Sequence, residues 1–184
     1  MIVQTKVIVL SAVVIGVLLC WAVVGFAAGR MAPDFRAKTI DGESVQFSDY
    51  LNRGPILVDF WATWCVPCIK EMAHFQELYE AYHERGFEIL GISIDNPRTS
   101  SKIKPMVASK GWTFPILLDP NKEVLKKLGG RSVVPYTVIV SPDGEIVATY
   151  EGYKAGNEKI VERKILPFLM DVPTDSTESV ESSE

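Results

Sequence analysis

Cysteine and histidine are scarce in this chain of 184 residues, which has only three cysteines and two histidines. A structural zinc site needs four Cys, His or acidic ligands at suitable spacing. Cys20 lies in a long apolar run, and His74 and His83 fall on one predicted helix, so Cys65 and Cys68 lack partners for zinc. We therefore predict no metal site. A purely structural Cys65–Cys68 disulfide is also disfavoured, because closing so short a loop stabilises the fold little.

Basic residues are absent from the last fourteen positions, residues 171–184, which carry five acids. These five acids account for the whole net charge of −4, so the remainder is close to neutral. The chain has no basic patch of the kind that would indicate nucleic-acid binding. The tail is rich in Ser, Thr and Glu, which predicts disorder. The rest of the composition fits one globular domain, residues 30–170, which we expect to be monomeric.

Charge is also missing between Lys6 and Arg30, where residues 7–29 form an uncharged, mostly apolar run of 23 residues. A membrane helix needs about 20 residues, whereas the apolar part of a cleaved signal has about 7–15. The length favours a retained signal-anchor after a short tail, residues 1–6. Small residues near the end of the run leave a cleaved signal peptide open as an alternative. Leu19 disfavours a lipoprotein signal at Cys20.

The orientation of this anchor is less clearly encoded. Lys6 lies on one side of the run and Arg30, Arg36 and Lys38 on the other, so the positive-inside rule does not decide. The short N-terminal tail favours an N-inside arrangement. The domain is then expected on the extracytoplasmic or periplasmic side of the cell membrane, where disulfides persist.

Two thiols follow a predicted buried strand directly. The strand covers residues 55–62, and the sequence Trp64-Cys65-Val66-Pro67-Cys68 begins a predicted helix at 65–85. A helix N-terminus stabilises a thiolate and lowers the pKa of a cysteine placed there. Cys65 is therefore the predicted nucleophile. Cys68, one turn further along, is predicted to resolve a mixed disulfide on Cys65.

Apolar strands alternate with helical stretches after the anchor, which predicts an α/β domain. An Asp-Pro helix start at Asp119 and an Asp-Gly hairpin turn at Asp143 mark two boundaries. We predict strands near 42–47, 55–62, 87–94, 112–118, 138–140 and 145–150, and helices near 65–85, 99–110, 119–129 and 157–169.

The stretch 56–68 is similar to the active-site segment of thioredoxins. Ala32-Pro33-Asp34-Phe35, Glu71, the extra segment 97–130 and Val134-Pro135 look like the membrane-anchored TlpA/ResA group of thiol-disulfide oxidoreductases. The resemblance implies a thioredoxin-like fold, a central mixed β-sheet flanked by helices with the extra strand-helix insert of that group. Its only redox group would be the disulfide Cys65–Cys68, without a further cofactor.

The resemblance also implies roles for residues around the thiols. Asp59 matches the buried acid of thioredoxins, which could exchange a proton with Cys68 because burial raises its pKa. The alternative is a strand-end acid satisfied by local hydrogen bonds. Glu71 matches a glutamate near the thiols of the ResA-like enzymes, although an exposed Glu on a solvated face is also open.

Further matches concern the substrate surface. Pro135 matches the cis-proline that faces the cysteine pair, and the backbone of Val134 would pair with an extended substrate; an ordinary trans proline is the alternative. Trp64 and Pro67 are expected to shape the surface around Cys65. Two positions depart from the subgroup, which commonly has Asn where Asp59 stands and Pro where Ala73 stands.

By this resemblance the chain reduces protein disulfides, and apocytochrome c is one possible substrate. Its electron donor would be a membrane thiol transporter. A thiol oxidase or isomerase would carry the same two thiols and stays open. By resemblance, peroxiredoxins have Thr or Ser three positions before the reactive cysteine and Pro seven positions before it. This chain has Ala62 and Val58 at those positions, which argues against a peroxidase. Copper-binding modules of related fold have, by resemblance, a Cys-x-x-x-Cys pattern, which this chain lacks.

Overall fold

The computed structural model describes residues 29–171. The predicted anchor, apart from Gly29, and the predicted acidic tail, apart from Asp171, lie outside the described residues. Among the helices of residues 29–171, none combines the length and apolar character needed to cross a bilayer.

Seven strands and four α-helices make up the described residues, together with four short 3₁₀ segments. The strands are β1 (Arg36–Thr39), β2 (Ser44–Gln46), β3 (Ile56–Trp61), β4 (Glu88–Ser93), β5 (Ile116–Leu118), β6 (Tyr136–Val140) and β7 (Ile146–Glu151). The helices are α1 (Val66–Tyr82), α2 (Ile103–Lys110), α3 (Glu123–Lys127) and α4 (Asn157–Ile165).

All strands belong to one mixed sheet in the order β2-β1-β5-β4-β3-β6-β7. The central strands β3, β4 and β5 are parallel, whereas β6 pairs antiparallel with β3. All six residues of β3 are buried, as expected for a strand covered on both faces. The mixed sheet flanked by helices confirms the predicted fold class. It also places the end of β3, and therefore the cysteine pair, at the centre of one sheet end.

Most predicted elements are present with shifted ends. Gly86, in the left-handed region at φ 86°, ends the 3₁₀ turn after α1, as predicted for a glycine stop. The helix predicted from Asp119 begins only at Glu123. Asp119 lies in the turn before the helix, where its carboxylate accepts hydrogen bonds from the Glu123 and Leu125 amides. Strand β1 was not predicted, and the strand predicted at 112–118 and the helix predicted at 157–169 are longer than the observed β5 and α4.

Candidate active site

The two cysteines form a disulfide at the start of α1. Cys65 is the N-cap residue of this helix, and its sulfur accepts a hydrogen bond of 3.3 Å from the Cys68 amide. Pro67 occupies the first turn, where a missing N–H costs no helix hydrogen bond. Cys65 is 4% exposed and Cys68 is fully buried, so an incoming group can reach only Cys65.

The surface around the disulfide is apolar. Trp64 and Val66 on either side of Cys65 are 58% and 64% exposed, and Pro67 is exposed as well. Apolar side chains that are exposed next to one another, as here, often mark a surface that binds a partner. Trp61, by contrast, is fully buried and packs edge-to-face on Trp112.

The loop before β6 reaches the same end of the sheet. Phe60 is in register with Tyr136, so Pro135 and Val134 lie beside the end of β3, from which the chain continues to Cys65. The Val134–Pro135 peptide bond is cis, so the trans alternative is wrong. The carbonyl of Pro135 accepts the amide of Gly152 at 2.8 Å.

Asp59 lies in the middle of β3 and is 1% exposed. Its Oδ1 accepts a hydrogen bond of 3.0 Å from the Thr137 hydroxyl, whereas its Oδ2 has no partner within residues 29–171. Burial raises the pKa of Asp59 well above its ordinary value, and the charge of Glu71 raises it further, while the Thr137 hydrogen bond opposes both. Asp59 is a mid-strand acid rather than one at a strand end.

Glu71 is also buried, at 2% exposed, so the alternative of a solvated side chain is wrong. It lies one turn after Cys68, on the same face of α1. Its Oε1 accepts a hydrogen bond of 3.4 Å from the Asn157 amide, at the start of α4. Burial raises the pKa of Glu71 to about 7. A carboxyl that titrates near neutrality beside a thiol pair is suited to proton transfer.

Asp95, which no sequence pattern indicated, lies against the turn that leads to Cys65. This buried acid follows β4 and accepts hydrogen bonds from the Thr63 amide at 2.8 Å and the Thr63 hydroxyl at 2.7 Å. Ser93 donates a further bond of 2.9 Å. Thr63 belongs to the turn between β3 and Cys65, so Asp95 fixes that turn. Sequence spacing gives no sign of this contact, because 32 residues separate the partners.

In the described part of the chain, no three His, Cys, Asp or Glu side chains cluster as a metal site requires. The arrangement instead combines one accessible and one buried sulfur with two buried acids. Such an arrangement can exchange disulfides and move the accompanying proton.

Comparisons with known proteins agree with this chemistry. Residues 28–149 match the family model described as the AhpC/TSA family. Thiol-disulfide oxidoreductase ResA of Oceanobacillus iheyensis is 38% identical over 131 residues, covering 69% of this chain and 66% of that protein, just under two thirds of its length. ResA of Bacillus thuringiensis subsp. konkukian is 32% identical over 141 residues, covering 76% of this chain and 79% of that protein.

A solved structure supports the fold. The crystal structure described as a thiol:disulfide interchange protein, DsbE, from Chlorobium tepidum superimposes with a TM-score of 0.69 at 23% identity. The superposition covers 76% of this chain and 95% of that structure. At this identity the likeness concerns the thioredoxin-like fold alone.

Proposed function

Because this chain belongs to the AhpC/TSA family and is a ResA-like thiol-disulfide oxidoreductase, we propose that it reduces disulfide bonds of proteins outside the cytoplasm. The observation that carries the proposal is the position of the Cys65–Cys68 disulfide at the start of α1, with only Cys65 open to a partner. The helix N-terminus stabilises the Cys65 thiolate that the reaction needs.

The proposed reaction begins with the reduced pair. The Cys65 thiolate attacks one sulfur of the substrate disulfide, forms a mixed disulfide and releases the other substrate sulfur as a thiolate. Cys68 then loses its proton and attacks the sulfur of Cys65. The bond to the substrate breaks, its second cysteine leaves as a thiolate, and the Cys65–Cys68 disulfide forms. Two electrons have passed to the substrate.

Asp59 and Glu71 are proposed to take the proton of Cys68 in the second step. Both carboxyls are buried near the start of α1, and burial raises the pKa of each. A buried thiol loses its proton slowly to water, so a nearby base of matched pKa speeds the attack. Trp64, Pro67, Val134 and Pro135 are proposed to form the surface that holds an extended substrate.

The finer assignments follow from the sequence and the family. Residues 7–29 are proposed to anchor the chain in the cell membrane, with the domain on the extracytoplasmic side. Apocytochrome c is the proposed substrate, and a membrane thiol-electron transporter is the proposed donor that returns the pair to its reduced state. We also propose that the redox-active disulfide acts without a further cofactor and that the chain acts as a monomer.

Reduction of a disulfide-bonded peptide containing Cys-x-x-Cys-His tests this proposal, with insulin as the comparison substrate and dithiothreitol as reductant. The purified full chain in detergent should accelerate reduction of the peptide more than that of insulin. Cys65→Ala should abolish the acceleration, and Cys20→Ala, which alters the cysteine outside the pair, should keep it. Equal acceleration by Cys65→Ala and the unaltered chain would contradict the proposed function.

A further inference from the structure

Within residues 29–171, each of the two buried carboxyls at the redox site is hydrogen-bonded through one oxygen only. Thr137 on β6 donates to Oδ1 of Asp59, and Asn157 on α4 donates to Oε1 of Glu71. The other oxygens, Oδ2 and Oε2, are buried and have no partner within residues 29–171. Buried carboxyl oxygens without a partner are uncommon and require an explanation. The two donors come from different elements, and together they determine which oxygen of each acid stays free.

The register of the sheet places both acids in the same layer. Asp59 is paired with Gly91 on β4 and with Thr137 on β6, so positions 59, 91 and 137 face the same side. A β carbon at Gly91 would lie 3.4 Å from Cε of Met72, so α1 covers this side. Glu71 precedes Met72 on α1 and is buried there. Asp59 and Glu71 therefore lie in the layer between the sheet and α1.

Helix α4 supplies the donor to Glu71. It packs against α1 and β6, and Asn157 is its first residue. Asn157 is 7% exposed, and its side-chain amide points inward to the Glu71 carboxyl rather than to solvent. An amide donor stabilises the ionised form of a carboxyl, because a carboxylate is the stronger acceptor. The contact therefore acts on the charge of Glu71 as well as on its position.

The charged groups around the pair are few. Burial is the main cause that raises the pKa of Glu71 to about 7, the Asn157 hydrogen bond opposes it, Glu158 raises the pKa and His74 lowers it. Glu71 in turn raises the pKa of Asp59. Among these groups, Asn157 is the neutral donor that keeps Glu71 ionisable near neutral pH. Two neighbouring buried acids ionise in turn rather than together, so a change at Glu71 is felt at Asp59.

We propose that Asn157 is a positioning residue for disulfide exchange: its bond to Oε1 fixes Glu71 on the Asp59 side of α1 and leaves Oε2 free to take the proton of Cys68. The inference rests on the proposed function. In that step Cys68 gives its proton to the carboxyl pair and its sulfur forms the bond to Cys65. The bond between Cys65 and the substrate breaks, and the substrate thiolate keeps the electron pair.

The test is the reduction potential of the Cys65–Cys68 pair in the full chain, measured between about pH 5 and pH 9 in a dithiothreitol series. The slope of potential against pH changes where a linked group titrates. The Cys65 thiol, which titrates only in the reduced pair, should give one change of slope in every variant. We expect Glu71 to give a second change near pH 7, which Glu71→Gln removes. Asn157→Ala should move it upward by about one pH unit, because a donor to the charged form is lost. Asn157→Asp, nearly identical in shape, should move it further.

Two controls separate positioning from general structural damage. Gln76 on α1 also carries a buried side-chain amide, which donates to Glu80 at 2.8 Å. Gln76→Ala removes this amide and should leave the change of slope near pH 7 in place. The double variant Glu71→Gln with Asn157→Ala should show the same dependence of reduction potential on pH as Glu71→Gln alone. An unmoved change of slope in Asn157→Ala, or an equal shift in Gln76→Ala, overturns the inference alone. A chain without a reversible dithiol couple overturns the proposed function and this inference with it.

Discussion

Asp95 accepts both hydrogen bonds that Thr63 can donate, from the backbone amide at 2.8 Å to Oδ2 and from the hydroxyl at 2.7 Å to Oδ1. Burial alone would raise the pKa of Asp95, but hydrogen bonds from Thr99, Thr63 and Ser93 outweigh it and lower the pKa below its ordinary value. The ionised acid at the end of β4 thus holds the turn that leads from β3 to Cys65.

Asp95→Ala should lower the free energy of unfolding by about 2–4 kcal/mol, because several hydrogen bonds to a buried carboxylate are lost. It should also change the rate at which Cys65 reacts with a disulfide, since the turn before it is released. Because the pKa is lowered on folding, this stabilisation is present above about pH 3.8 and is lost as the pH falls through the lower folded value. Denaturant unfolding across this range measures the effect.

Asp119→Ala is the matched control, because Asp119 is also buried and accepts two backbone amides, at 2.8 and 2.9 Å. Its bonds hold the start of α3 rather than the turn before Cys65. It should destabilise the chain and leave the rate of disulfide exchange unchanged. An equal change of rate in both variants would show that Asp95 has no particular effect on the site.

The contrast between Cys65 and Asp95 shows what the sequence could reveal. The place of Cys65 follows from adjacent residues, an apolar run and then a helix with proline in its first turn, so its position was predictable. Asp95 binds Thr63, 32 residues away across the crossover between two parallel strands. Asn157 binds Glu71, 86 residues away on a helix packed against its own. Strand β1 was missed for a similar reason: Arg36–Thr39 is short, half of it is exposed and it pairs with distant β5.

Cys68→Ala should trap a mixed disulfide through Cys65, because the resolving thiol is missing. Non-reducing gels of the full chain incubated with a disulfide-bonded protein would show the adduct, which dithiothreitol releases. Cys65→Ala should give little adduct, since Cys68 is fully buried at the start of α1. Equal trapping by both variants would mean that the roles of the two cysteines are assigned wrongly.

Asp59→Asn should stabilise the chain at neutral pH. The folded state keeps a proton on Asp59 to a higher pH than the unfolded state, where the pKa is about 3.8. The free energy of unfolding therefore falls as the pH rises from about 4 toward the raised pKa, and Asn avoids this loss. The gain should be present at pH 7, vanish near pH 4 and be visible in thermal unfolding.

The same variant should slow resolution of the mixed disulfide, because a proton acceptor near Cys68 is gone. Glu88→Gln is the matched control. Burial raises the pKa of Glu88 too, but this residue begins β4 at the opposite end of the sheet from the disulfide. It should gain stability without a change in exchange rate. A destabilised Asp59→Asn chain with normal exchange would contradict the assigned role.

Membrane attachment is expected to depend on residues 7–29. Expressed in bacteria, the full chain should float with lipid vesicles after fractionation, whereas a chain with Leu10, Val14 and Leu18 replaced by Arg should not. Mass spectrometry of the purified chain separates a retained anchor from a cleaved signal peptide. Recovery of an uncleaved chain in the soluble fraction would contradict the anchor.

The equilibrium reduction potential of the Cys65–Cys68 pair tests the central claim most directly. Tryptophan fluorescence of the full chain in a dithiothreitol or glutathione series follows the couple, since exposed Trp64 adjoins Cys65. A protein-disulfide reductase should give a value close to that of thioredoxin, about −270 mV. A value near that of the strong oxidant DsbA, about −120 mV, would contradict the reductase and indicate a thiol oxidase.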